Sequence, residues 1–264
     1  MSYGSKEEHL TMDTATKAAQ AMRGKLWIRA AFVCLATVLV ALSLSGCMYP
    51  KERLKGKVAP KEAIRNVQGA IDQYYDELQL LPIKNSSQSV PVYEKYLIDF
   101  GKLQAKGYIS DVPAASFEGG GHYYFLILDE ETEPRVKLMD IVTSQRINDI
   151  QNWVNAYIKE NTAVPKGDSI YPGFYEIDYG KLKQKEPIIT SVYSGTTQRA
   201  IVDEDGTVFT DYGIDIMQLL ERNGEASYEE NIDLRTLLVD SSDYVPVKSP
   251  AYKLVEGEPV AIQP

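Results

Sequence analysis

Cysteine and histidine are scarce: the 264-residue chain has two of each. Both cysteines, Cys34 and Cys47, lie in the first 47 residues, so the rest of the chain can form neither a disulfide nor a zinc–thiolate site. His122 is the one imidazole after His9. It can supply no multi-histidine metal centre, and no nucleophile motif adjoins it. Gly119-Gly120-Gly121 reads as a flexible turn, because the Gly-Lys-Ser/Thr and following helix of a phosphate loop are missing. Ser194-Gly195-Thr196 has Tyr193 where a penicillin-binding-protein motif needs a cation, and no Ser-x-x-Lys partner is present. Asp203-Glu204-Asp205-Gly206 starts like a calcium loop but lacks the later bidentate Glu, so it reads as a hairpin turn. Neither a cofactor nor a metal is expected, and a complete acid/base or nucleophile set is not found.

Positive charge is also short. Residues 47–264 keep 23 Lys/Arg against 34 Asp/Glu, a formal charge of about −11, which argues against nucleic acid as a partner. A long apolar run is lacking too. Ala30 to Leu44 is fifteen largely apolar residues, short of the roughly 20 that span a bilayer. Arg23, Lys25 and Arg29 precede this run, and Ser45-Gly46-Cys47 follows it at once. Cations, a short apolar stretch and small residues before a cut make a secretory signal.

Leu44-Ser45-Gly46-Cys47 resembles the lipobox of bacterial lipoproteins. The resemblance implies a diacylglycerol on the Cys47 thiol and cleavage by signal peptidase II after Gly46. Two acyl chains are the number that gives stable membrane attachment. Residues 22–46 are then the signal peptide and 47–59 a short cationic tether. Residues 1–21 are a polar extension ahead of an ordinary signal, which points to translation from Met22 or Met12.

Beyond the tether, the sequence repeats itself. Ile98-Asp99-Phe100-Gly101-Lys102-Leu103 recurs as Ile177-Asp178-Tyr179-Gly180-Lys181-Leu182. Upstream, Ile64, Val67, Ile71 and Tyr74 are matched by Ile147, Ile150, Val154 and Tyr157, and Pro82 by Pro165, each pair 83 residues apart. That spacing lays one apolar stripe on a helix, with Pro60 opening the first helix and Ser144 capping the second. Downstream, apolar strands flank acidic turns at 129–134 and 203–206. A shortened third copy follows, with a helix from Ile214 ending at Asn223-Gly224, then Ile232-Asp233-Leu234 and a hairpin over 252–262. The expected fold is α+β, with helix–loop–hairpin units at 60–140 and 141–212 and a shortened unit or extension at 213–264, packed together.

Tyrosine is the abundant aromatic, eighteen in all. Tyr93, Tyr96, Tyr171, Phe174 and Tyr175 fall in the two equivalent helix-to-strand loops, and form the candidate binding face if they do not simply close the core. The globular part is similar in organisation to uncharacterised lipoproteins of spore-forming Gram-positive bacteria. The resulting expectation is a non-catalytic lipoprotein on the extracytoplasmic face of the membrane, binding an envelope protein or wall component. The alternatives are the solute-binding lipoprotein of an ABC transporter and a glycan-active enzyme using carboxylates such as Asp99 and Asp178.

Overall fold

The computed structural model describes residues 60–223 and 232–263. The expected extension, signal peptide, lipobox cysteine, tether and Gly224 stop lie outside them. No helix among the described residues is long and apolar enough to cross a membrane.

The fold is α+β, and every sheet among the described residues is antiparallel. Helix α1 (Lys61–Leu78) buries Ile64, Val67, Ile71 and Tyr74 along one side, as their spacing requires. It ends at Gln79 in the left-handed conformation, φ 53°. Two short helices follow, α2 (Val92–Lys95) and α3 (Phe100–Ala105), and then the hairpin β1 (Tyr123–Leu128) and β2 (Arg135–Asp140). Single bridges Ile83↔Ile98 and Leu97↔Leu126 extend this ladder outward. Phe125 and Ile127 face α1, while Leu126 and Leu128 face a second cluster with Val239, Val245 and Val247. Burial on both faces accounts for an unbroken apolar strand in place of an alternating one.

Helix α4 (Ile141–Asn161) presents Ile147, Ile150 and Val154 to the next sheet and ends at Thr162, φ 54°. Its N-cap is Asp140, whose carboxylate accepts from the Val142 and Thr143 N–H groups. The cap therefore sits four residues before Ser144, which lies inside the first turns. A carboxylate at the positive end of a helix outcompetes a hydroxyl one turn later. The four-stranded sheet runs β3 (Lys166–Tyr171), β4 (Phe174–Ile177), β7 (Ala200–Asp203), β8 (Val208–Thr210). Helix α5 (Tyr179–Leu182) and the small pair β5 (Ile189–Thr190) and β6 (Thr197–Gln198) are inserted between its halves. Tyr171, Phe174 and Tyr175, expected in a helix-to-strand loop, lie instead in the β3–β4 hairpin around Pro172-Gly173, with Gly173 at φ +80°. Pro-Gly is a turn signal, but the polar, irregular edge strand before it hid the pairing.

Helices α6 (Gly213–Asn223) and α7 (Arg235–Ser241) and the hairpin β9 (Ala251–Val255)–β10 (Glu258–Ile262) cover the other face of this sheet. Residues 243–248 lie between the two sheets. Leu138 in β2 donates to the Asp243 carbonyl and accepts from the Val245 N–H, both at 2.9 Å, while Thr210 in β8 donates to the Lys248 carbonyl at 2.7 Å. The glycine run at 119–121 is a fixed turn. A Cβ on Gly119 or Gly121 would overlap the backbone of Pro113 or Ala115.

One polar contact recurs. On α1, Gln68 accepts the Val136 N–H at 2.7 Å and donates to the Pro134 carbonyl at 2.8 Å. On α4, Gln151 accepts the Val208 N–H at 2.8 Å and donates to the Gly206 carbonyl at 2.7 Å. Each amide clasps the last strand of its sheet to its helix.

Candidate functional site

The five aromatics expected to share a face do not meet on one. Tyr93 is only 8% exposed, packed with Leu126, Leu128 and Met139, and has the Arg235 guanidinium 5.0 Å from its ring centre. Burial pushes its phenol up to about 12. Phe174 is fully buried, because β4 runs between β3 and β7 with α6 and β10 above it. Tyr96 packs on the α1 core, with the Lys95 ammonium 4.9 Å from its ring centre. Tyr171 donates to Asp211 at 3.1 Å, and Tyr175 donates to Glu204 at 2.9 Å under the Lys166 ammonium. Tyr93 and Phe174 are thus core residues. The other three are half-buried rings with their hydroxyls or faces engaged.

The tempting carboxylates are structural as well. Asp99 accepts the Lys102 N–H at the start of α3, and Asp178 the Lys181 N–H at the start of α5. Backbone donation from Lys181, followed by its ammonium, holds the Asp178 carboxyl below the usual aspartate range. The sign follows. A depressed carboxyl contributes stability above its unfolded value near about 4 and loses it as pH falls through the folded value. Carboxyl NMR titration should show Asp178 titrating lower in the folded chain than in urea, and coincident curves would refute this cap. Asp203 holds its own turn, accepting the Asp205 and Thr207 N–H groups. His122 is exposed at the start of β1, where its carbonyl accepts the Ile141 N–H. Among the described residues no group of three or more His, Cys, Asp and Glu side chains is placed to hold a metal.

Besides a wide concavity of about 660 Å³ between the start of α1 and residues 108–114, two others are found. The first, about 220 Å³, is lined by Tyr193, Asp215, Gln218, Arg222, Ser242 and Tyr244. Beside it, Asp215 accepts from Ser191 Oγ at 2.9 Å and Gln198 Nε2 at 2.7 Å, while the Ser191 oxygen accepts the Tyr193 and Ser194 N–H groups. A serine so occupied, with no base beside it, braces the 191–194 turn. The second, about 350 Å³, opens between the end of α4 and α5, with Trp153, Tyr157 and Glu160 on one wall and Lys181 and Gln184 on the other. Beside the end of α1 the space over Tyr74 and Glu77 is filled. There Tyr108 folds back onto Tyr74, ring centres 5.2 Å apart, and donates to Glu77 at 2.6 Å. That bond pushes the Tyr108 phenol up to about 12.

Sequence reasoning passed over Gln68 and Gln151, Tyr108 with Glu77, and the open wall at Trp153. The signal was available: extending the 83-residue offset along the helices pairs Gln68 with Gln151, Tyr74 with Tyr157 and Glu77 with Glu160.

Residues 60–140 match the YphF family N-terminal domain. No curated protein and no solved structure matches the chain.

Proposed function

We propose that the chain is a non-catalytic lipoprotein, held by Cys47 at the extracytoplasmic face of the membrane, whose two α+β units and shortened third bind an envelope protein or wall component. The observation that carries this reading is a division of labour. The units agree wherever a scaffold is needed and differ where a ligand would sit. Gln68 and Gln151 clasp the same edge, Asp99 and Asp178 cap the same turn, and Lys102 and Lys181 donate to the carbonyls of Ile83 and Lys166. The Asp99 N–H bonds the Pro82 carbonyl and the Asp178 N–H that of Pro165, at 2.7 and 2.8 Å. Against that agreement, the crevice filled by Tyr108 in the first unit is open in the second. The YphF N-terminal domain match ends at residue 140, where the first unit ends and α4 begins.

The anchor rests on the cations, the short apolar run and Leu44-Ser45-Gly46-Cys47. An ABC-transporter binding protein finds less support, since among the described residues every sheet is antiparallel and no doubly wound lobe is formed. A glycan-active enzyme loses its best carboxylates to backbone capping. In intact cells, Cys47→Ala should release the protein or leave it unprocessed and without lipid mass. Unchanged membrane retention together with an unchanged mass would refute the anchor. Crosslinking of the lipidated chain in cells tests the binding role, with an envelope protein or wall fragment as the expected product and a saturable small solute as the contrary one.

A further inference from the structure

The first unit carries an internal picture of what the second lacks. Helices α1 and α4 keep one register from Gln68/Gln151 through Tyr74/Tyr157 and Glu77/Glu160 to the left-handed caps Gln79/Thr162. In the first unit the chain leaves α3, turns at Gly107 with φ +81°, and lays the Tyr108 ring on Tyr74 with its hydroxyl on Glu77. Tyr74 is buried by this cover, 5% exposed. Counted from the shared Ile-Asp, Gly107-Tyr108 correspond to Glu186-Pro187. Helix α5 stops at Leu182 with Lys183 left-handed, and its one ring, Tyr179, packs beneath α4 at the position of Phe100, so that no ring takes the place of Tyr108. Tyr157 is left half-exposed, Glu160 is exposed, and Trp153 stands where α1 has Ala70. Ring-stacking surface and a phenol acceptor are therefore in place without the phenol.

We propose that this crevice receives a tyrosine side chain from a partner polypeptide, its ring against Tyr157 and Trp153 and its hydroxyl donated to Glu160. The inference rests on the repeated-unit reading, because Tyr108 is the template for the occupant. It narrows the partner from any envelope component to a protein segment with an accessible tyrosine. A flat ring with one polar tip suits a wall that sets two aromatic rings among polar and charged side chains. A charged acceptor favours a phenol over a bare phenyl ring.

The test uses the full chain in detergent micelles, with the Trp153 indole N–H followed by NMR and assigned through Trp153→Phe. N-acetyl-tyrosinamide should shift this resonance saturably. N-acetyl-phenylalaninamide should bind about tenfold more weakly, the value of one hydrogen bond to a carboxylate at the low end. Glu160→Gln should reduce that preference. No saturable shift, equal binding of the two amides, or stronger binding of N-acetylglucosamine would overturn the proposal, the last favouring a glycan in the crevice. Tyr108→Ala separates the two layers of the argument. If the units correspond, this variant opens the same crevice in the first unit and N-acetyl-tyrosinamide raises its melting temperature. Rescue there with silence at Trp153 overturns the docking site and leaves the repeat standing. Failure at both overturns the correspondence itself.

Discussion

Asp211→Ala should destabilise the purified protein by about 3–5 kcal/mol, as removing one partner from a buried charged network does. Asp211 is 4% exposed and sits where β8 passes into α6. One carboxylate oxygen accepts from Tyr171 Oη at 3.1 Å, Tyr252 Oη at 2.9 Å and the Gly213 N–H at 2.9 Å. The other accepts from Arg199 Nε at 2.9 Å. Tyr252 Oη in turn accepts the Tyr212 N–H, so the loss propagates through the hairpin to the start of the helix. Each buried donor left unpaired costs about 1–3 kcal/mol, and relaxation recovers part of the sum. Urea unfolding should show a lower midpoint at unchanged slope. Asp211→Asn should fall between, since the amide keeps one acceptor but turns a donor toward other donors. A midpoint within error of the parent would mean the network contributes nothing net.

Gln151→Ala should cost about 2–3 kcal/mol, from one strand N–H and one turn carbonyl losing their partner. Water can reach this edge only in part, because Val208 is 3% exposed and packs on Val154 and Ile158 from α4. Gln68→Ala should cost a similar amount through Val136, which is 4% exposed. The two clasps share no residue, so the double variant should equal the sum within about 0.5 kcal/mol. Amide exchange supplies a sharper reading: the Val208 N–H should lose protection in Gln151→Ala alone. If Val208 stays protected, the amide is ornamental and the helix is held by its apolar stripe.

The helices were legible because burial on one side imposes a 3.6-residue period, and Ile147, Ile150 and Val154 occupy the positions it dictates. The hairpins at 123–140 and 200–210 were legible because acidic turn residues interrupt apolar runs. The tyrosines were not. Composition shows that a ring is amphipathic but not which way a strand turns it, and β4 in mid-sheet takes Phe174 inward while Tyr175 lies under the Lys166 ammonium. Polar residues on helices are usually solvated, so Gln68 and Gln151 looked unremarkable until compared across the offset. Asp211 precedes a helix and reads as an ordinary cap. Its other three donors come from positions 12 to 41 residues away in the chain, a distance no local pattern carries.

Residues 243–248 bond to β2 on one side and β8 on the other, and they follow both in the chain. Each helix and the sheet it covers can collapse on local contacts as they emerge, but the seam between the two sheets waits for residues 243–248. Lys248 then meets Glu94, 154 residues back, at 2.8 Å. Pairing across so long a loop is slow to find. A chain made N-terminus first would thus hold β2 and β8 without their bridging partner until that segment follows. The 243–248 segment acts as a timer as much as a fastening, joining the two sheets only after both have been made.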